Sequence, residues 1–364
     1  MVLLSQRVAL SALLAATHLA LARAFLPSAS LSSSAWTNRP GSRSTLESRG
    51  QHVRGGASSA GGRATTTMNG GKHDLYVVGA GYLGKIIGAV WNSKHPEAVM
   101  YGETRSYTRH EKFMPPGMSH LMRKNRDDKE IKCPNVVFCA NPGGNKDYAL
   151  EVFRAMEEVW DGTGMFVFTS SGSVYAEKKG GVVTEDSPID EAKVDSPLRI
   201  AEKVVLRGGG CVVRLAGLYS IERGPHTVWL NEKRLNHHSQ GKVNLVSYED
   251  AAFAVVAALD AGIAEIDDES GAAPEIKGKV FLAADHAPVT RRKICEVALG
   301  HPLYARKSMP RFTQDASPPE FAETGAKKVY DSSETRRVLG WEPQCSSMEE
   351  YFRVAMEQEL AARE

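Results

Sequence analysis

Gly79, Gly81 and Gly84, in the run Gly79-Ala80-Gly81-Tyr82-Leu83-Gly84, are spaced for phosphate chemistry. Gly79 permits a tight turn, Gly81 lets the backbone approach a pyrophosphate, and Gly84 lets a helix lie close on a sheet. A helix opening at Tyr82 and Leu83 offers N–H groups and a partial positive charge to the phosphates. Further along comes Glu103-Thr104-Arg105-Ser106. An acid at this place hydrogen-bonds a ribose 2′-hydroxyl, whereas an arginine pairs with a 2′-phosphate. Thr104, Arg105 and Ser106 supply a guanidinium and two hydroxyls, so the expected coenzyme is NADP, with NAD as the alternative. The plainer reading of Arg105 is a solvated loop charge. Ala140 and Asn141 complete the expected coenzyme set, because they leave a strand at the edge where open α/β sheets bind ligands.

These groups need strands and helices in alternation to hold them. Leu75–Val78 is a short apolar run suited to a buried parallel strand, and Ile86, Ile87, Val90 and Trp91 recur at helical spacing. Further strands are expected at Ala98–Tyr101, Asn135–Ala140, Met165–Thr169 and Lys279–Ala284. A helix face is expected at Ala149, Val152, Met156 and Trp160. Thr290 is placed to cap a helix carrying Ile294, Val297 and Ala298, and Ser346-Ser347-Met348-Glu349 has capping-box spacing before the last helix. The Ser308–Gly325 stretch reads as a loop or lid. The expected fold class is α/β: a doubly wound parallel sheet in residues 73–241, with residues 242–364 completing the sheet and adding a small C-terminal α/β substrate lobe.

The run Phe168-Thr169-Ser170-Ser171-Gly172-Ser173-Val174-Tyr175 resembles the Ser-Ser-x-x-Val-Tyr segment of the extended and atypical short-chain dehydrogenases/reductases, the NAD-dependent epimerase/dehydratase group with a Rossmann fold. Four further segments resemble that group in the same order: Thr184–Pro188, Val213–Tyr219, Asn244–Ala252 and Leu339-Gly340-Trp341-Glu342-Pro343. The chain is also similar to plastid-targeted plant members of the atypical branch. The resemblance implies that Ser171 is the catalytic serine, which hydrogen-bonds the reacting hydroxyl or carbonyl. It also implies a Tyr and a Lys one helical turn apart, in Ser-Pro-Tyr-x-x-x-Lys-x-x-x-Glu. This chain departs there. Ser196-Pro197-Leu198-Arg199-Ile200-Ala201-Glu202 lacks four residues, has no Tyr, and puts Leu198 where the Lys would be. Tyr175 and Lys179 have Tyr-x-x-x-Lys spacing but run into Gly180-Gly181, a loop or short strand. Tyr175 alone is a candidate for the nicotinamide end, against a packing tyrosine. In the group, the loop after the sixth strand lies between nicotinamide and substrate. His226 there is a candidate replacement acid or base, against a residue that caps or precedes a helix. Arg223 is a candidate for holding an anionic substrate.

Hydrophobic residues are 42% of the chain and charged residues 24%, which excludes global disorder. The five cysteines make no C-x-x-C pair, which argues against a disulfide scaffold and fits a reducing compartment. Cys139 reads as a small core residue rather than a nucleophile. His73, His95, His110 and His120 share no H-x-x-x-H spacing, so no metal site is expected. Residues 1–72 hold eight Lys/Arg and one acid; residues 73–364 hold 37 basic and 42 acidic residues, a net charge of −5. Bulk attraction of the folded part to nucleic acid or an anionic membrane is therefore not expected. Residues 1–24 read as a signal peptide, with a basic start, an apolar run from Val8 to Ala22 and small residues before Phe25. Residues 25–72 read as a disordered, acid-poor transit peptide. This order resembles the bipartite presequence of algae with complex secondary plastids, which implies the plastid stroma; secretion is the rival. Three readings follow: an NADP-dependent enzyme acting on a small polar or nucleotide-linked metabolite, an NADP-binding sensor or scaffold without turnover, and an RNA-binding protein. The expected partner is a small-molecule substrate, with no membrane in the mature form; a homodimer is open to it.

Overall fold

A computed structural model describes residues 71–105, 114–123, 131–143, 145, 147–286, 288–316 and 328–361. The expected signal peptide, the transit segment up to residue 70, and Ser106 lie outside the described residues. Seven strands form the central sheet: β1 (Leu75–Val78), β2 (Met100–Thr104), β3 (Met118–Met122), β4 (Asn135–Phe138), β5 (Phe166–Ser171), β6 (Cys211–Leu215) and β7 (Val280–Ala283). All neighbours are parallel, in the order β3-β2-β1-β4-β5-β6-β7. The order reverses between β1 and β4, the place where doubly wound sheets open a crevice at their carboxyl ends.

Both faces of the sheet are covered. Leu75 and Val77 of β1 point into one core, under α1 (Tyr82–Lys94) and α4 (Tyr248–Asp267). Tyr76 and Val78 point into the other, under α2 (Tyr148–Val159) and α3 (Pro197–Arg207). The same alternation runs through Val137 against Val136 and Phe138, and through Val167 against Phe166 and Phe168. Each such side chain removed from water is worth about 1.5–3 kcal/mol, which is why these strands read as unbroken apolar runs.

Side-chain caps start the helices. Ser196 accepts from the Arg199 N–H ahead of Pro197, Ser247 from the Asp250 N–H, and Thr290, as expected, from the Lys293 N–H of α5 (Arg291–Leu299). The last helix, after α6 (Ser333–Leu339), is α7 (Met348–Ala361). Its capping serine is Ser347, which accepts from the Glu350 N–H at 3.3 Å, while the Glu350 carboxylate reaches back to Ser346 N–H at 2.8 Å. The serine cap thus sits one residue later than the spacing suggests, and the carboxylate reaches past the cap to the residue before it. Two other bounds differ. β2 begins at Met100 and takes in Glu103 and Thr104, because Glu103 turns inward to accept from the Tyr76 hydroxyl at 2.8 Å. Trp160 falls just past α2, in extended backbone that bridges to Cys133.

A third core gathers Tyr219, Leu235, Leu245, Ile294, Tyr304, Tyr351 and Phe352 beside the sheet. Short pairs brace it: Gly217–Tyr219 with Leu245–Ser247, Lys242–Val243 with Val289–Thr290, and Arg234–Leu235 with Arg311–Phe312. The last of these, with a 3-10 turn over Thr313–Ala316, opens the stretch expected as a loop or lid; residues 317–327 lie outside the described residues. Among the described residues no helix is long and apolar enough to cross a membrane.

Asp285, just beyond β7, ties the sheet to this lobe. Its N–H donates to Leu245 O at 2.7 Å, and its carboxylate accepts from the Tyr219 hydroxyl at 2.9 Å. Burial, reinforced by the nearby Asp250 carboxylate, pushes the Asp285 carboxyl up to about 8. A raised acid favours the native state below its unfolded value and loses that contribution as pH climbs through the folded value. Asp285→Asn should therefore flatten the fall in stability between about pH 5 and pH 8.5, by about 1–3 kcal/mol at the upper end. Chemical denaturation at both pH values measures this; parallel profiles for the two proteins would contradict it.

Candidate functional site

The β1–α1 turn is fixed by close approach. Gly79 has φ of +93°, and a Cβ on it would stand 2.4 Å from the Ala140 backbone N. A Cβ on Gly84 would stand 2.7 Å from Gly79 O and 3.1 Å from Cys139 Sγ, so α1 presses directly onto the turn. Gly81 differs: a Cβ there meets only Gly79 O, at 3.8 Å. Gly81 also occupies the cap position of α1, where no side chain accepts from the helix.

Beyond Gly81 opens a cleft of about 600 Å³ at the carboxyl ends of the strands. Gly79, Gly81, Tyr82, Leu83, Thr104, Arg105, Ala140 and Asn141, all expected coenzyme residues, line it together. Gly84 is not at its surface but packed beneath it. Cys139 lines it too, yet its thiol donates to Gly79 O at 3.2 Å and burial pushes it up to about 12. No disulfide links the described cysteines. Glu103, the acid of the ribose alternative, is buried and absent from the lining. Arg105 remains half-exposed, 3.3 Å from Glu151 near the start of α2. Arg123, at the end of β3, pairs with the same carboxylate. Two guanidiniums thus gather near the tip of β2.

The substrate end brings together Ser171, Arg223 and aromatic rings. Ser171 lines the cleft at the end of β5; its hydroxyl lies 3.0 Å from Ser173 Oγ and accepts from the Ser173 N–H at 3.2 Å. The Arg223 guanidinium lies 4.5 Å from the centre of the Tyr82 ring, and Tyr248 meets that ring edge-on at 4.7 Å. The Tyr82 hydroxyl donates to Ser220 at 3.4 Å. Burial pushes the Tyr82 phenol up to about 12 and raises that of Tyr248, so both stay protonated at neutral pH.

Two catalytic expectations are corrected by placement. Tyr175 is fully buried, donates to Glu185 O at 3.1 Å, lies against the Arg214 guanidinium and takes no part in the lining. The packing alternative describes it. His226 falls inside the short helix Pro225–Trp229 rather than at the cleft. It is fully buried, with Nε2 3.0 Å from Ile221 O and its ring edge-on to Tyr304 and Phe352. Burial lowers its pKa, so it is a neutral core histidine.

Leu198 does line the cleft, at the first turn of α3 where the resemblance puts a lysine. Behind it, Glu202 is fully buried and held by Arg214 at 2.8 and 3.1 Å, by Arg199 and by the Ser170 hydroxyl. Burial pushes the Glu202 carboxyl up, but the Arg214 bonds and charge outweigh it and leave the carboxyl lowered. Thr169, Ser170, Tyr148 and Tyr248 line the cleft without having been singled out in the sequence. A lysine also returns from far along the chain: Lys328 donates to Tyr175 O at 2.7 Å and Gly172 O at 3.3 Å, behind the Ser171 loop. Burial pushes its amine down to about 8.

No protein-family model matches the chain, and no curated protein matches it. Solved structures match in fold. A functionally unknown conserved protein from Silicibacter pomeroyi has a TM-score of 0.56 at 17% identity, over 80% of this chain and 99% of that one. The UDP-glucose 4-epimerase of Thermotoga maritima, solved with UDP-glucose, has 0.54 at 16%, over 80% and 100%. A UDP-glucuronic acid 4-epimerase from Bacillus cereus, solved with NAD, has 0.55 at 16%, over 78% and 99%. The chain has the fold of these epimerases. The likeness inferred from the five motifs therefore holds in three dimensions, as a Rossmann-type sheet with a lobe beside it.

Glu202 gives a stability test for the segment that replaces the usual dyad. Removing it leaves the Arg214 charge buried without its partner, so Glu202→Ala should cost about 3–5 kcal/mol. Replacing both residues, as Glu202→Leu with Arg214→Met, should cost clearly less than the two single changes summed. Urea unfolding of Glu202→Ala, Glu202→Leu, Arg214→Met and the double variant measures this, and strict additivity of the last two single changes would contradict the pairing.

Proposed function

We propose that this chain is an NADP-binding oxidoreductase of the epimerase/dehydratase type, acting on a small polar or nucleotide-linked metabolite without a Tyr–Lys dyad. The observation that carries the reading is the convergence of the Gly79–Gly81 turn, Arg105 and Ser171 on one cleft. NADP is preferred over NAD because Glu103 is turned under Tyr76, while Arg105 lines the cleft with Arg123 close by. The choice of metabolite class is supported by neighbours in fold solved with UDP-glucose and with NAD.

When bound, the nicotinamide supplies or accepts a hydride. The chain's own residues do the rest. The α1 terminus and the Gly81 backbone bind the diphosphate. Ser171 Oγ hydrogen-bonds the reacting oxygen. The protonated phenols of Tyr82 and Tyr248 act as hydrogen-bond donors rather than bases, and Arg223, over the Tyr82 ring, holds an anionic group of the substrate. A second reading, a sensor or scaffold that binds NADP without turnover, is favoured by the burial of Tyr175 and His226 and by Leu198 at the lysine's place. The same proposal puts the protein in the plastid stroma, as the order of residues 1–72 implies. A reporter fused to residues 1–72 should collect in plastids, and a secreted reporter would contradict that part.

Purified residues 73–364 should bind NADPH, and Arg105→Ala should weaken NADP about 10-fold, or about 1.4 kcal/mol, while changing NAD far less. Equal loss for both would remove the NADP assignment. Incubation with carbonyl compounds and sugar nucleotides should show turnover that Ser171→Ala lowers; tight binding without turnover would select the sensor.

A further inference from the structure

The amino-terminal edge of the sheet, opposite the cleft, gathers side chains that the proposed chemistry does not use. His73 lies just before β1, and His95 and Glu97 lie just after α1. The two imidazoles stack with centroids 4.1 Å apart and planes 24° apart, and Trp91 packs against both. Nδ1 of His73 is 2.9 Å from Glu97 Oε1, and Nδ1 of His95 is 4.0 Å from the same oxygen. One donor atom from each of the three residues lies within 4.8 Å of the others.

The tautomer of His95 turns this cluster into a slot for a cation. Its Nε2 lies 3.1 Å from Asp260 Oδ1. An ionised carboxylate only accepts, so Nε2 holds a hydrogen towards Asp260, which leaves Nδ1 as the ring's one nitrogen available to a metal ion. That nitrogen, the His73 Nδ1 and the Glu97 carboxylate face one another at distances a single cation could bridge. Asp260 is itself held by Lys94. A carboxylate that fixes a histidine through its far nitrogen is the usual support for a metal-ligating imidazole.

We propose that His73, His95 and Glu97 bind one divalent transition-metal ion, with Asp260 orienting His95. Two imidazoles and a carboxylate suit zinc, and three protein ligands leave a fourth position for water. On binding, His73 exchanges its Nδ1–H···Glu97 hydrogen bond for a bond to the ion, its hydrogen passing to Nε2. The ion would clamp the entry to β1 against the exit from α1. This site is independent of the coenzyme reading and stands whether or not the cleft turns over.

The test uses the full chain, stripped of metal and titrated with Zn²⁺ by calorimetry and with Co²⁺ by visible absorption. The expected result is one ion per chain, a Co²⁺ ligand-field band, and a rise in melting temperature with Zn²⁺. His95→Ala and Glu97→Gln should each lose at least about 10-fold in affinity, and Asp260→Asn about 10-fold. Absence of the band, or Zn²⁺ binding unchanged in Glu97→Gln, would overturn the proposal. Should His95→Ala fail to fold, Glu97→Gln decides, since that side chain is largely exposed and its replacement leaves the packing intact.

Discussion

The backbone amide of Ala140 stands where a side chain on Gly79 would have to go, and Gly79 O stands where one on Gly84 would go. These two approaches hold strand, turn and helix at backbone contact across the point where the strand order reverses. The cleft is a consequence. With α1 pressed onto the turn, its first residues face the carboxyl ends of β2, β4 and β5, and Gly81 leaves open the space that Gly79 and Gly84 do not have. An added methyl group at Gly79 or Gly84 would move α1, and with it Tyr82 and the ring on which Arg223 rests.

Beside this turn, α3 departs from the pattern that the resemblance implies. The resemblance implies a Tyr and a Lys facing the coenzyme there. The chain instead starts α3 on a serine cap with Pro197, sets Leu198 at the cleft, and sinks Glu202 into a network with Arg214, Arg199 and Ser170. That network reaches the strand end that carries Ser171 and stiffens it from behind. Lys328 holds the other side of the same loop through the Gly172 and Tyr175 carbonyls. Ser171 keeps its place at the cleft while the groups behind it are structural.

Much of the fold was legible in the chain because its strands are buried on both faces and announce themselves as apolar runs. The glycine turn was legible because its spacing answers to backbone geometry. The gathering of Thr104, Arg105, Ala140, Asn141 and Ser171 on one cleft follows from that geometry, since each leaves a neighbouring parallel strand. Tyr175 and His226 were misplaced because sequence shows which residue follows a strand but not which way its side chain turns. Tyr175 turns under Arg214, and His226 closes against Tyr304 and Phe352. Lys328 arrives from a remote part of the chain with no local pattern to mark it, and the Asn244–Ala252 segment does not show that its Tyr248 reaches the cleft. The same is true of His73 and His95, which only the β1–α1 pairing brings into contact.

On the proposed reading, the space beyond Gly81 receives a coenzyme diphosphate. The decisive experiment is equilibrium binding of NADPH to the wild-type chain and to Gly81→Leu, because a side chain there meets the cleft and little of the core. The variant should fold, and its affinity should drop at least about 100-fold, or about 2.7 kcal/mol. A wild-type chain without affinity for NADPH or NADH, or a folded variant that binds as the wild type does, would contradict it.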